Sequence, residues 1–235
     1  MIPLSDANPA RGPAIVNRLL LFVNIAVWLY MVSLQRTPGA LEGFLDRYAF
    51  DWSRFTADLA TGAWTFATFV PLVTHMFLHG GWLHIIGNML YLWVFGDNVE
   101  DRLGSGTYLL FYLLCGIAAA VGQGLVAPSP MLGASGAIAG VLGAYLVLSP
   151  GARIRTLIFL GIFITVIQLP AVVVIGFFIV IQFIEGLASL RFSGYPATEQ
   201  VAYFAHIFGF LAGIGLVLLL RDRTQRTPAP YGRYG

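Results

Sequence analysis

The stretch Met131-Leu132-Gly133-Ala134-Ser135-Gly136-Ala137-Ile138-Ala139-Gly140-Val141-Leu142-Gly143-Ala144-Tyr145-Leu146-Val147-Leu148 decides how this chain is read. It carries no charge and reads as a membrane-buried helix that opens on a serine among glycines. Gly136 and Gly140 form a small-xxx-small pair, the pattern that lets membrane helices approach closely. The same bare backbone is what a nucleophilic serine needs, and taken alone the packing role is the commoner of the two. From Leu132 to Leu148 the helix covers about 25 Å, short of the roughly 30 Å hydrocarbon core. With its inner end at the cytoplasmic interface, Ser135 lies below the opposite surface, and the loop before it dips to membrane depth. Irregular backbone is tolerated there only when buried in protein or lining a wet cavity.

Composition agrees that the solvent is a bilayer. Of 235 residues, 58% are hydrophobic and 10% charged, with a mean hydropathy of +0.80, where soluble domains carry about 25% charged residues. The net charge of +2 comes with arginine as the only basic residue besides histidine, in no run that suggests nucleic acid. Cys115 is the single cysteine, which excludes a disulfide framework and a thiolate metal site, and it reads as a small core residue. The first apolar segment runs through Trp28 and Tyr30 into Gln35-Arg36-Thr37-Pro38 without a small-residue cleavage site, so it reads as a retained span.

Working outward, the pattern predicts an all-α membrane protein of six spans with a large interfacial first loop. The spans fall at about 15–34, 82–99, 105–126, 132–148, 170–190 and 201–220. In the first loop, Leu41, Phe44, Leu45 and Tyr48 form the stripe of an amphipathic helix, and Trp52, Phe55, Trp64 and Phe66 suit a structure lying in the interface. Residues 153–168 read as an apolar connector folded against the protein. Arginines at 11 and 18, at 153 and 155, and after 220 place both termini and the fourth-to-fifth connection in the cytoplasm. The expected division is a cytoplasmic tail over 1–14, a six-span core over 15–220 and a cytoplasmic tail over 221–235.

Spans two, four and six then run in one direction, with His84, Ser135 and His206 near the start of each, at one depth in the outer half of the membrane. His84 and Asn88 are spaced i, i+4 and share a face; Gly209 and Gly213 follow His206 at i+3 and i+7. Intramembrane histidine and asparagine are costly and point to function by default. The chemistry this set supports is acyl transfer: Ser135 attacks a carbonyl and His206 serves as general base and acid. His84, Asn88 and the Ser135 N–H are candidate oxyanion donors, and the two glycines let span six approach span four. No Asp or Glu is placed to orient His206, so packing is expected to do so. A zinc peptidase would want H-E-x-x-H, which is absent. An aspartyl mechanism would want two facing intramembrane carboxylates. His79 is assigned a supporting role at the rim of the outer loop, with Gly133 and Gly136 supporting the serine.

His84-x-x-x-Asn88, Gly133-Ala134-Ser135-Gly136 and Ala205-His206-x-x-Gly209-x-x-x-Gly213, in this order and in spans two, four and six, resemble the rhomboid family of intramembrane serine proteases. The corner Phe95-Gly96-Asp97-Asn98-Val99-Glu100-Asp101-Arg102 is similar to prokaryotic members. The resemblance implies cleavage of single-pass membrane proteins in or near their transmembrane segment, no cofactor, a prokaryotic cell (inner) membrane location, and transmembrane protein substrates and the lipid bilayer as partners, with no nucleic acid. It implies Ser135 as nucleophile, His206 as base, and His84, Asn88 and the Ser135 N–H as oxyanion hole, with span five and Phe192 to Gln200 as the entry gate. Three positions depart from the family: Ala139 where some members stack a tyrosine on the histidine, Trp52-Ser53-Arg54 in place of Trp-Arg, and Phe208 where glycine is frequent. Two alternatives remain at this stage: a catalytically silent relative that binds membrane clients, and a small transporter, which would predict an inverted repeat that the sequence lacks.

Overall fold

The computed structural model describes residues 1–8, 10, 12–160, 163–191 and 202–220. Arg11, the connector 192–200 and the arginines beyond 220 lie outside the described residues.

A short strand β1 (Ile2–Asp6) precedes α1 (Ile15–Leu34). The first loop holds α2 (Ala40–Tyr48), α3 (Trp52–Thr61), α4 (Phe66–Phe69), α5 (Pro71–Thr74) and a 3-10 turn at His75–Phe77. The apolar helices α6 (Trp82–Leu103), α7 (Ser105–Val126) and α8 (Ser135–Leu148) follow. A hairpin of β2 (Arg153–Leu160) and β3 (Phe163–Pro170) leads to α9 (Ala171–Arg191) and α10 (Tyr203–Leu219). Among the described residues, 15–34, 105–126 and 171–190 are long and apolar enough to cross a membrane alone. The pair 66–77 and 82–103, bent by 82°, makes a fourth; α8 and α10 are apolar but only 14 and 17 residues long. The chain is a helical membrane bundle.

The shortest of these, α8, sits at the centre. Every residue from Gly136 to Tyr145 is buried, as expected of a helix apolar on all sides. It admits its neighbours because of its glycines. A Cβ on Gly140 would land on Cys115 of α7, and one on Gly143 on the backbone of α10. From the other side, Gly209 and Gly213 of α10 meet the carbonyl oxygens of Gly136 and Gly140. Phe208 is housed by a gap across the interface: a Cβ on Gly122 of α7 would strike its ring.

A polar network ties the start of α1 to α6 and α7. The buried Glu100 carboxylate accepts from the N–H groups of Val16 (3.0 Å) and Asn17 (2.7 Å), which open α1, and from Ser105 Oγ (2.6 Å). It acts as an N-terminal cap donated by another helix, where an anion is favoured. Asn17 donates to the Leu92 carbonyl (3.1 Å) and accepts from the Tyr108 phenol (2.9 Å). Gly96 is glycine because Asn17 occupies the space a Cβ would need.

The connector expected over 153–168 is instead a β-hairpin, and the segment read as a polar tail contributes its third strand. The antiparallel sheet has the order β1-β2-β3, with Arg153 opposite Pro170, Leu160 opposite Phe163, and Asp6 opposite Ile154. Ile154 and Thr156 are buried while Arg153 and Arg155 are exposed, the period-2 alternation of a strand. The run is rich in Ile, Thr, Val and Phe, which pack well on a pleated surface. Asp6 fixes the sheet to the bundle by accepting from Tyr145 (2.8 Å) on α8 and Asn98 Nδ2 (2.7 Å) on α6. This pairing puts β1 and the α8–α9 connection on one side of the molecule.

Candidate active site

Ser135 is the first residue of α8 and His206 lies in the first turn of α10. Gly136 against Gly209 brings these two helix ends together, and Ser135 Oγ lies 2.7 Å from His206 Nε2. The helix start offers unpaired N–H groups and a favourable dipole for negative charge beside the hydroxyl. His206 is 7% exposed, and Gln123 of α7 braces its neighbour by accepting from the Ala205 N–H (3.1 Å).

The loop into α8 is shaped by Gly133, whose φ of 127° lies in the region that favours glycine. Its N–H donates to the His75 carbonyl (2.9 Å). A Cβ there would also collide with the His84 ring at Nε2. His84 therefore reaches the loop immediately before Ser135. Its Nδ1 accepts from the Gly80 N–H (3.3 Å), which leaves Nε2 as the protonated, donating nitrogen on the Gly133 side. Asn88, one turn on, is buried, and its Nδ2 has no partner among the described residues. His79 is buried, with neither ring nitrogen hydrogen-bonded among the described residues and its ring 5.1 Å from that of His84. It touches His84 and has no recorded contact with Ser135 or His206. His75 is spent on structure: its Nδ1 donates to the Pro71 carbonyl (2.8 Å).

Two residues of this site carried no weight in the sequence. Gln182 of α9 is buried and its Oε1 lies 2.5 Å from His206 Nδ1. Phe178, one turn earlier, sets its ring 5.9 Å from the imidazole at 40°. They stand where the absence of a tyrosine at Ala139 left the orientation of His206 unexplained. The signal was available: an amide within a largely apolar span is expensive unless it has a partner. Among the described residues, no group of three or more His, Cys, Asp or Glu is arranged to hold a metal ion.

A family model described as the rhomboid domain matches residues 64–223. The chain belongs to the rhomboid family. It is 43% identical over 88 residues to the rhomboid protease GluP of Bacillus subtilis, covering 37% of this chain and 16% of that protein. Against the rhomboid protease GlpG of Photorhabdus laumondii it is 29% identical over 136 residues, 54% of this chain and 48% of the relative. The RHOMBOID-like protein 4 of Arabidopsis thaliana is 28% identical over 219 residues, 84% of this chain and 51% of the relative. The chain thus spans about half or less of the length of these relatives. As a rhomboid with this series of apolar helices, it is an integral, multi-pass membrane protein.

Proposed function

We propose that this rhomboid is an intramembrane serine endopeptidase that cleaves single-pass membrane proteins in or near their transmembrane segment. The reading rests above all on the 2.7 Å contact between Ser135 Oγ and His206 Nε2. In the first half-reaction Ser135 Oγ attacks the scissile carbonyl carbon as its proton passes to His206 Nε2. The oxyanion forms beside the Ser135 N–H, the Asn88 amide and His84 Nε2–H, donors of the kind that contribute about 3 kcal/mol each. Collapse breaks the C–N bond, and the leaving amine takes the proton from His206. Water then attacks the Ser135 ester with His206 again as base, releasing the new carboxylate and restoring the hydroxyl. No step calls for a cofactor. The orphaned Asn88 amide supports a donor held ready for a charge that appears only during reaction. Arginine placement supports cytoplasmic termini in a prokaryotic cell membrane, which sets the site toward the outer leaflet.

The test is digestion of a panel of single-pass membrane proteins by purified wild type and Ser135→Ala in liposomes. Cleavage is expected from wild type alone; equal cleavage by both proteins overturns the reading.

A further inference from the structure

We propose that Gln182 of α9 is a positioning residue that selects the tautomer of His206, an inference that rests on the protease reading above. A neutral imidazole has one donor nitrogen and one acceptor nitrogen, and only one arrangement is productive here. The nitrogen facing Ser135 Oγ must be bare to take its proton. The amide oxygen of Gln182 accepts hydrogen bonds and cannot donate them, so its seat 2.5 Å from Nδ1 places the ring proton there. Nε2 is left with its lone pair toward Ser135 Oγ at 2.7 Å. With the amide in this orientation, a proton on Nε2 instead would leave two lone pairs facing each other across the Gln182 contact.

The neighbourhood of Gln182 argues that this bond is its purpose. It is 9% exposed, while Val180, Phe183 and Ile184 around it are more than half exposed, on the outward side of α9. An amide turned inward from a largely lipid-facing helix is retained only with a partner, and its recorded partner is the imidazole. Phe178, one turn earlier on the same face, holds the ring from the side. A neutral amide also suits the depth. It keeps its dipole on Nδ1–H when the imidazolium forms, without a second buried charge to desolvate in the resting state. Ser135 and His206 therefore depend for alignment on a third helix that carries neither of them.

The experiment has two arms. In the first, 15N-histidine-labelled wild type in lipid bilayers is read by NMR at neutral pH, with His206 assigned by comparison with His206→Ala. A protonated Nδ1 and bare Nε2 are expected; the opposite tautomer overturns the inference whether or not any variant folds. In the second, kcat and KM are measured for Gln182→Leu and Gln182→Glu beside Ser135→Ala. Loss of the acceptor is expected to lower kcat by about 10- to 100-fold, with KM changed less than about twofold. Gln182→Glu, which keeps an acceptor oxygen at the same reach, is expected to restore kcat to within about fivefold of wild type. Wild-type kcat in Gln182→Leu, or a folded Gln182→Glu as slow as Gln182→Leu, overturns it. If Ser135→Ala remains active, the protease reading itself fails; if only the Gln182 variants behave unexpectedly, that reading stands and this inference falls.

Discussion

Gly209 on α10 faces the carbonyl oxygen of Gly136 on α8 so closely that no Cβ fits between them, and Gly213 repeats the contact with Gly140. The distance between Ser135 and His206 is thus set by backbone against backbone, with no side chain in between to yield.

Gly209→Ala is accordingly expected to push the two helix starts apart. Misplacement of about 1 Å at a reacting pair costs on the order of 100-fold in rate, so kcat should fall by roughly that factor. Gly215→Ala, on the same helix with nothing within 4 Å of the added carbon, should leave kcat unchanged. Steady-state cleavage by the two variants checks this.

Asn88→Ala separates a catalytic from a structural role. Its Nδ2 makes no hydrogen bond among the described residues, so removing it sacrifices no bond recorded for that group and the thermal midpoint should not fall. The rate should fall about 100- to 1000-fold, the usual cost of one missing oxyanion donor. A lowered midpoint with normal kcat would count against the assignment.

Glu100→Gln should weaken the fold instead. The carboxylate serves the Val16 and Asn17 N–H groups and Ser105, and an amide can present only one oxygen. Loss of about 1–3 kcal/mol is expected from the under-satisfied helix start. Unfolding in mild detergent, followed by far-UV circular dichroism, measures it.

The seat of β1 should be pH-dependent. Burial pushes the Asp6 carboxyl up to about 6, a rise that the Tyr145 hydrogen bond partly offsets and Asp97 augments. The folded state then binds the proton more tightly than the unfolded chain, whose carboxyl titrates near 3.9. Stability from this group is full below about pH 4 and is lost as pH rises through about 6. Amide exchange over 2–6, corrected for intrinsic rates, should show less protection at pH 7 than at pH 5. In Asp6→Asn that difference should vanish.

Much of the bundle was legible in the sequence because burial in a bilayer leaves long uninterrupted apolar runs. The limits 15–34 and 105–126 coincide with α1 and α7, whose ends are marked by polar and glycine-containing corners. The amphipathic stripe from Leu41 to Tyr48 coincides with α2. The hairpin was missed because apolarity alone does not separate a buried connector from a strand. Its β-branched run around Gly161 was the overlooked cue. The partnership of Ile2–Asp6 with β2 joins residues 148 to 155 positions apart, as in Asp6 with Ile154 and Ile2 with Leu157, and no local pattern announces it. The motifs brought His84, Asn88, Ser135 and His206 to attention by type and spacing. Gln182 escaped because its meaning lies in which way α9 turns, and its composition is nearly as apolar on every face.

Cys115 is fully buried, with its sulfur filling the hollow that Gly140 leaves in α8. The native chain therefore already behaves as a cysteine-free background for thiol-reactive reporters. A pair of spin labels attached through new surface thiols on α6 and α9 would report the separation of those helices with and without an added single-pass membrane protein, without first rebuilding the centre of the protein.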